Sequence, residues 1–73
     1  MKYTTGNRVL FEHKGDKMRG EVVGYTDLFD GNRVYHIKVD DGKHVLMYHN
    51  VTEKEIRSIL VTDDGHERRQ IIS

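Results

Sequence analysis

Residues 18–49 read MRGEVVGYTDLFDGNRVYHIKVDDGKHVLMYH, and this stretch decides the fold. It contains three consecutive β-strands joined by two glycine-marked turns. In its central segment Tyr35, Ile37 and Val39 alternate with His36, Lys38 and Asp40, and side chains on a strand point to opposite faces with a period of two. That pattern is a half-buried strand. Asp41 and Gly42 tolerate left-handed backbone, and apolar residues resume at Val45, so the chain turns back here as a hairpin. Two registers fit. With Asp41 and Gly42 as the central pair, Val39 meets His44, Ile37 meets Leu46 and Tyr35 meets Tyr48; this is the preferred reading. With a bulge at Gly42, Val45 and Met47 face the core instead, because a slip of one residue inverts every side chain.

Working outward, Arg8–His13 is a first strand with Val9 and Phe11 on the core face, after a polar lead, Met1–Thr5, expected to be partly ordered. Lys14–Lys17 is a charged turn. Arg19–Thr26 is a second strand, and Gly20 and Gly24 within it mark a bend of the kind that curls a small sheet. Asp27–Arg33 is a loop turning at Asp30, Gly31 and Asn32; its Leu28 and Phe29 either fold back over the core or stand out as a contact point. Val34–Asp40 and His44–His49 are the third and fourth strands. Thr52 followed three residues later by Glu55 fits a capping box at the head of one helical turn. Arg57–Val61 is a fifth strand. Residues 63–73 turn at Asp63, Asp64 and Gly65, and Glu67–Ile72 is an extra strand or a tail.

Residues 1–73 form one domain, and at this size roughly 60% of the unfolded surface can be buried, leaving no room for an interior cofactor. There is no cysteine, hence neither a disulfide framework nor a thiolate metal site. Twelve basic residues balance twelve acidic ones, so long-range steering toward nucleic acid is not expected and any such role needs a local patch. No run is long and apolar enough for a signal peptide or a membrane span, which reads as a soluble, cytoplasmic protein without a membrane role.

The expected fold class is therefore all-β: a small five- or six-stranded SH3-like barrel with one short helical turn before the fifth strand. GNRVLFEHKGDKMRGEVVGY resembles the opening strands of Tudor-type and KOW-type SH3-like barrels. VYHIKVDDG is similar to the Tyr-x-Val-x-x-Asp-Gly hairpin of Tudor-like domains, and Val51, Glu53, Glu55, Ile56 and Arg57 resemble their closing segment. The likeness covers Gly6–Leu60. It implies a closed, curled sheet with loops as the working surface. It speaks to fold much more than to ligand.

Tudor-type domains bind methylated Lys or Arg in a cage of aromatic faces drawn partly from the first loop. Here His13–Met18 contains no aromatic, so that role does not carry over. Of the remaining rings, Tyr35 and Tyr48 read as core, and Tyr25 and Phe29 are left. KOW-type relatives act on nucleic acid or on the machinery that handles it. The matching candidates are Lys14, Lys17 and Arg19 on the first hairpin, with Arg33 and Lys43 on other loops and conditional charge from His13. Asp16 and Glu12 lie among them.

In the preferred register His36 and His49 are diagonal neighbours on one outward face, a separation one ion could bridge, but no third ligand is evident, so they read as surface histidines and no cofactor is expected. Stoichiometric zinc should then shift the melting temperature by no more than about 1 °C. No serine sits on a strained turn, and the Asp pairs lack calcium-loop spacing, so no catalytic residue is assigned and the chain does not read as an enzyme. The expectation is a binding module that docks on nucleic acid or on a nucleic-acid-bound assembly. The alternative is a protein-interaction module working through Tyr25, Leu28 and Phe29, of the accessory or inhibitory kind carried by mobile elements. A homodimer through the C-terminal strand is a third expectation.

Overall fold

The computed structural model describes residues 3–63 and 66–70, with side chains described over residues 3–61. The chain is all-β: β1 (Arg8–His13), β2 (Asp16–Asp27), β3 (Arg33–Asp40), β4 (Val45–Thr52), a 3-10 turn (Glu53–Glu55), β5 (Ile56–Asp63) and β6 (His66–Gln70). Every pairing is antiparallel, in the order β4-β3-β2-β1-β5-β6. The stretch after the fifth strand thus returns as a strand over His66–Gln70, while Ile71 and Ile72 lie outside the described residues. No helix among the described residues is long and apolar enough to cross a membrane.

A barrel closed by hydrogen bonds is not formed. β4 and β6 remain the two edges of the sheet, because β5 pairs with β1 on one side and with β6 on the other. Curling is achieved by other means. Register shifts interrupt β1/β5 at Leu10/Phe11, β2/β3 at Val22/Gly24 and β3/β4 at Tyr35/Ile37, and each bulge adds local twist. The result brings Phe11 of β1 against Tyr48 of β4, ring centres 5.8 Å apart, although two strands separate them in the sheet. Val9, Phe11, Val22, Tyr35, Ile37 and Val51 are fully buried inside the curl.

At Gly20 the side chains and backbone of β3 close in on β2. A Cβ placed there would lie 2.5 Å from Ile37 Cγ2 and 2.8 Å from the Lys38 carbonyl oxygen, so only glycine fits without displacing β3. Gly24 has ordinary room, with His36 Cδ2 at 3.7 Å.

Two local expectations change. The β3–β4 hairpin takes neither proposed register: Val39 faces Leu46 and Ile37 faces Tyr48, two residues away from the pairing with Asp41 and Gly42 at the centre. A shift of two preserves the faces, so Leu46 and Tyr48 stay on the side of Ile37 and Val39. The longer turn is held by Asp41, whose carboxylate accepts from the amides of Lys43 (2.9 Å) and His44 (2.7 Å). The N-terminal lead is also more than a tail. Tyr3 is buried, its amide donates to the Tyr35 hydroxyl (3.1 Å), and the two rings meet edge to face. Gly6 and Asn7 then exchange backbone bonds with Val22, seating the lead on β2.

The 3-10 turn carries the chain from β4 to β5. Glu55 accepts from the Thr52 amide (2.9 Å) and hydroxyl (3.0 Å), as the Thr-x-x-Glu spacing predicts. Its other oxygen accepts from His13 Nδ1 at the end of β1 (2.8 Å).

Candidate functional site

β2 is long enough to pair with β1 through its first half and with β3 through its second, and the loops it connects lie at opposite ends. One end carries the β1–β2 and β3–β4 turns. The other carries the β2–β3 loop, and the 3-10 turn spans between them, entering beside Val34 through Thr52 and reaching His13 at the end of β1 through Glu55.

At the first end His13 pairs with Asp16 across a two-residue turn in which Lys14 (φ 52°) and Gly15 (φ 87°) both have left-handed backbone. That geometry belongs to a type I′ hairpin and suits Gly or Asn better than Lys. Lys14, Lys17 and Arg19 are exposed here together with Lys43 of the β3–β4 turn. Lys14, Lys17 and Lys43 have no ion-pair partner among the described residues. Of the acidic groups nearby, Glu12 accepts from Arg57 (3.0 Å), Asp40 from the Gly42 amide (2.9 Å) and Asp41 from its own turn, while Asp16 stands exposed on the same hairpin as Lys14 and Lys17. The hydrogen bonds from His44 and Lys43 hold the Asp41 carboxyl below the usual aspartate value. His13 is not part of this surface, since its ring is mostly buried between Glu55 and Tyr48.

The second end is built differently. Leu28 donates its amide to the Asn32 carbonyl (2.7 Å), Gly31 donates to Leu28 (3.1 Å), and Asp30 accepts from both the backbone and the side chain of Asn32 (3.0 and 2.9 Å). Those last bonds hold the Asp30 carboxyl low. From this pinned loop Phe29 projects entirely into solvent, with a relative exposure of 114%, and Leu28 is 43% exposed. Tyr25 is 49% exposed and lies under the Arg33 guanidinium, 3.9 Å from ring centre to Cζ. Arg33 also donates to both oxygens of Asp27 (2.6 and 3.2 Å), and that hydrogen bonding raises its already high pKa. Its charge is therefore committed within the fold.

An open groove of about 1020 Å³ runs beside this loop, lined by Tyr3, Leu28, Arg33, Val34, Thr52 and Lys54 among others. Burial, with Glu53 and Tyr35 close by, pushes the Tyr3 phenol above the ordinary tyrosine value. Lys14, Lys17 and Arg19 thus lie on the β1–β2 hairpin and Lys43 on the β3–β4 turn, at the other end of β2 from Arg33. Arg33 lies over Tyr25 and lines the groove with Leu28, and Phe29 follows Leu28 in the loop. No aromatic cage forms: Tyr35 is in the core, and Tyr48 packs on Phe11 and His13.

Sequence reading missed two features. Tyr3 completes the groove wall, and the only signal was an aromatic residue inside a polar lead. Val45, Leu46 and Met47 are all exposed on β4, an apolar run that alternation alone assigns half to the core.

Among the described residues no group of three or more His, Cys, Asp or Glu side chains is placed to hold a metal ion. No family model, curated protein or solved structure matches the chain.

Proposed function

We propose that the protein is a non-catalytic docking module of SH3-like build that grips a protein partner through Phe29, Leu28 and Tyr25. The observation that carries this is Phe29, held fully in water by a loop whose own hydrogen bonds fix its position. An aromatic anchor on a pinned loop loses little entropy on binding, and burying such a side chain contributes about 1.5–3 kcal/mol. The groove alongside offers apolar walls from Leu28 and Val34 next to polar groups from Thr52 and Lys54, the mixture a peptide segment needs. The SH3-like reading draws support from the succession of β1 to β5, the bulge beside Gly24 in β2 and the 3-10 turn before β5.

The nucleic-acid reading retains one favourable observation, Lys14, Lys17 and Lys43 at the opposite end, without ion-pair partners among the described residues. It loses Arg33 to Asp27 and Tyr25, and the total charge of zero gives it no long-range help.

A pull-down from the source cells, with and without nuclease, separates the two. The docking reading expects a partner that survives nuclease and moderate salt, is lost with Phe29→Ala and is kept with Lys14→Ala/Lys17→Ala. Loss with the lysine pair, retention with Phe29→Ala and a steep salt dependence would replace it with the nucleic-acid reading.

A further inference from the structure

We propose that His36 and His49 form a two-histidine site for a divalent transition-metal ion on the outer face of β3 and β4. Their Nδ1 atoms lie 3.2 Å apart, with ring centres at 5.1 Å. Imidazole nitrogens bind zinc at about 2.0–2.1 Å, so two of them on one tetrahedral ion sit roughly 3.3 Å apart and two cis positions at right angles roughly 2.9 Å apart. The observed separation falls between these limits. An ion can therefore replace the contact between the rings with small side-chain movements.

The backbone prepares this approach. His36 lies between two bulges: the shift in β3–β4 pairing sets it against both His49 and Asn50, and the shift in β2–β3 pairing sets it opposite Gly24, which has no side chain to crowd the ring. On its far side His36 Nε2 is 2.8 Å from Thr26 Oγ1. With Nε2–H donating to that hydroxyl, the lone pair of His36 is left on Nδ1, facing His49. A hydrogen bond to the non-ligating nitrogen is the usual outer partner of a metal-bound histidine. When the ion binds, His49 carries its proton on Nε2 and offers Nδ1 as well, so two neutral imidazoles become ligands without net proton loss.

Two imidazoles, with neither thiolate nor carboxylate, select zinc, nickel or copper over calcium or magnesium. The remaining coordination positions open to solvent and are left to water or to a donor from a docked molecule. Binding is correspondingly modest. Stoichiometric zinc leaves the melting temperature within about 1 °C, and only an excess raises it. This site is independent of the Phe29 loop and of the function proposed for it.

The test is a zinc titration of the full chain, metal-free at the start, followed through the histidine ring signals in NMR spectra. His36 and His49 are expected to shift together and saturate at one midpoint, while His13, tied to Glu55, and His44, near Asp41, stay in place. His49→Gln should weaken binding at least about tenfold, and Thr26→Val by about tenfold through the lost outer hydrogen bond. Both sites are exposed, so an unchanged far-UV spectrum confirms that the variants are folded. A midpoint that His36 and His49 share with His13 and His44, undiminished affinity in His49→Gln, or no response up to millimolar zinc would overturn the proposal.

Discussion

The two ends of β2 solve the same problem, reversing a chain, in opposite ways. At the hairpin end the reversal is tight and fully polar, and it spends a lysine on a left-handed position that glycine or asparagine fills more easily. At the loop end the reversal is longer, tied by Asp30 and Asn32, and it exposes Leu28 and Phe29 where polar residues are the normal choice. Strain at one end buys little beyond placement of a cation. At the other end an apolar side chain is held out against the hydrophobic effect, which is the stronger departure from what folding alone requires.

If β2 is the common spine, the largest effect belongs to Gly20, where β3 leaves no room for a side chain. Gly20→Ala should cost about 2–3 kcal/mol by forcing a methyl into Ile37 and the Lys38 carbonyl, and chemical denaturation should show both ends lost in one transition. Retention of one end in a separate transition would break the comparison at its base. Next, Phe29→Ala should weaken partner binding by at least about tenfold while altering stability by no more than about 0.5 kcal/mol. A large fall in melting temperature would mean that the ring supports the fold after all. Smaller still, Lys14→Asn should stabilise the chain by about 0.5–1 kcal/mol by relieving its backbone conformation, readable in urea unfolding.

Acid should act on both ends at once and least of all. Asp30 and Asp41 have carboxyl pKa values lowered by hydrogen bonds from their own turns, as has Glu55, where bonds from Thr52 and His13 outweigh the opposing effect of burial. A lowered folded pKa stabilises the fold above the unfolded value, near 4, and that contribution is lost as pH falls through the folded value. Melting temperature should accordingly be level above about pH 5 and decline below about pH 4. Tyr3 works in the other direction: its raised phenol pKa favours the fold below the unfolded value near 10, and the benefit is lost above it.

Much of this architecture is legible in single strands of sequence. Tyr35, Ile37 and Val39 announce a strand face, Thr52 with Glu55 announces the turn, and Gly20 and Gly24 announce a bent β2, because each signal is local. What stays hidden depends on residues far apart in the chain. The β3–β4 register is set by the Asp41 turn bonds and changes again at the bulge of β4 opposite His36, neither of which hydrophobic alternation records. The burial of Tyr3 needs Tyr35, thirty-two residues away, to provide a hydroxyl. At the candidate surfaces the residue types were readable but their pairings were not. Arg33 and Lys14 look alike as cations, and only the fold spends one on Asp27 and leaves the other to water.

The carboxylate of Glu55 also governs how the molecule comes apart. One oxygen holds the chain leaving β4 and the other holds the last residue of β1, so a single side chain ties the two places, and fraying that displaces Glu55 loosens both. Amide protons near Thr52 and His13 should then exchange with solvent at a shared rate, as a single cooperative unit bridging strands that never touch in the sheet.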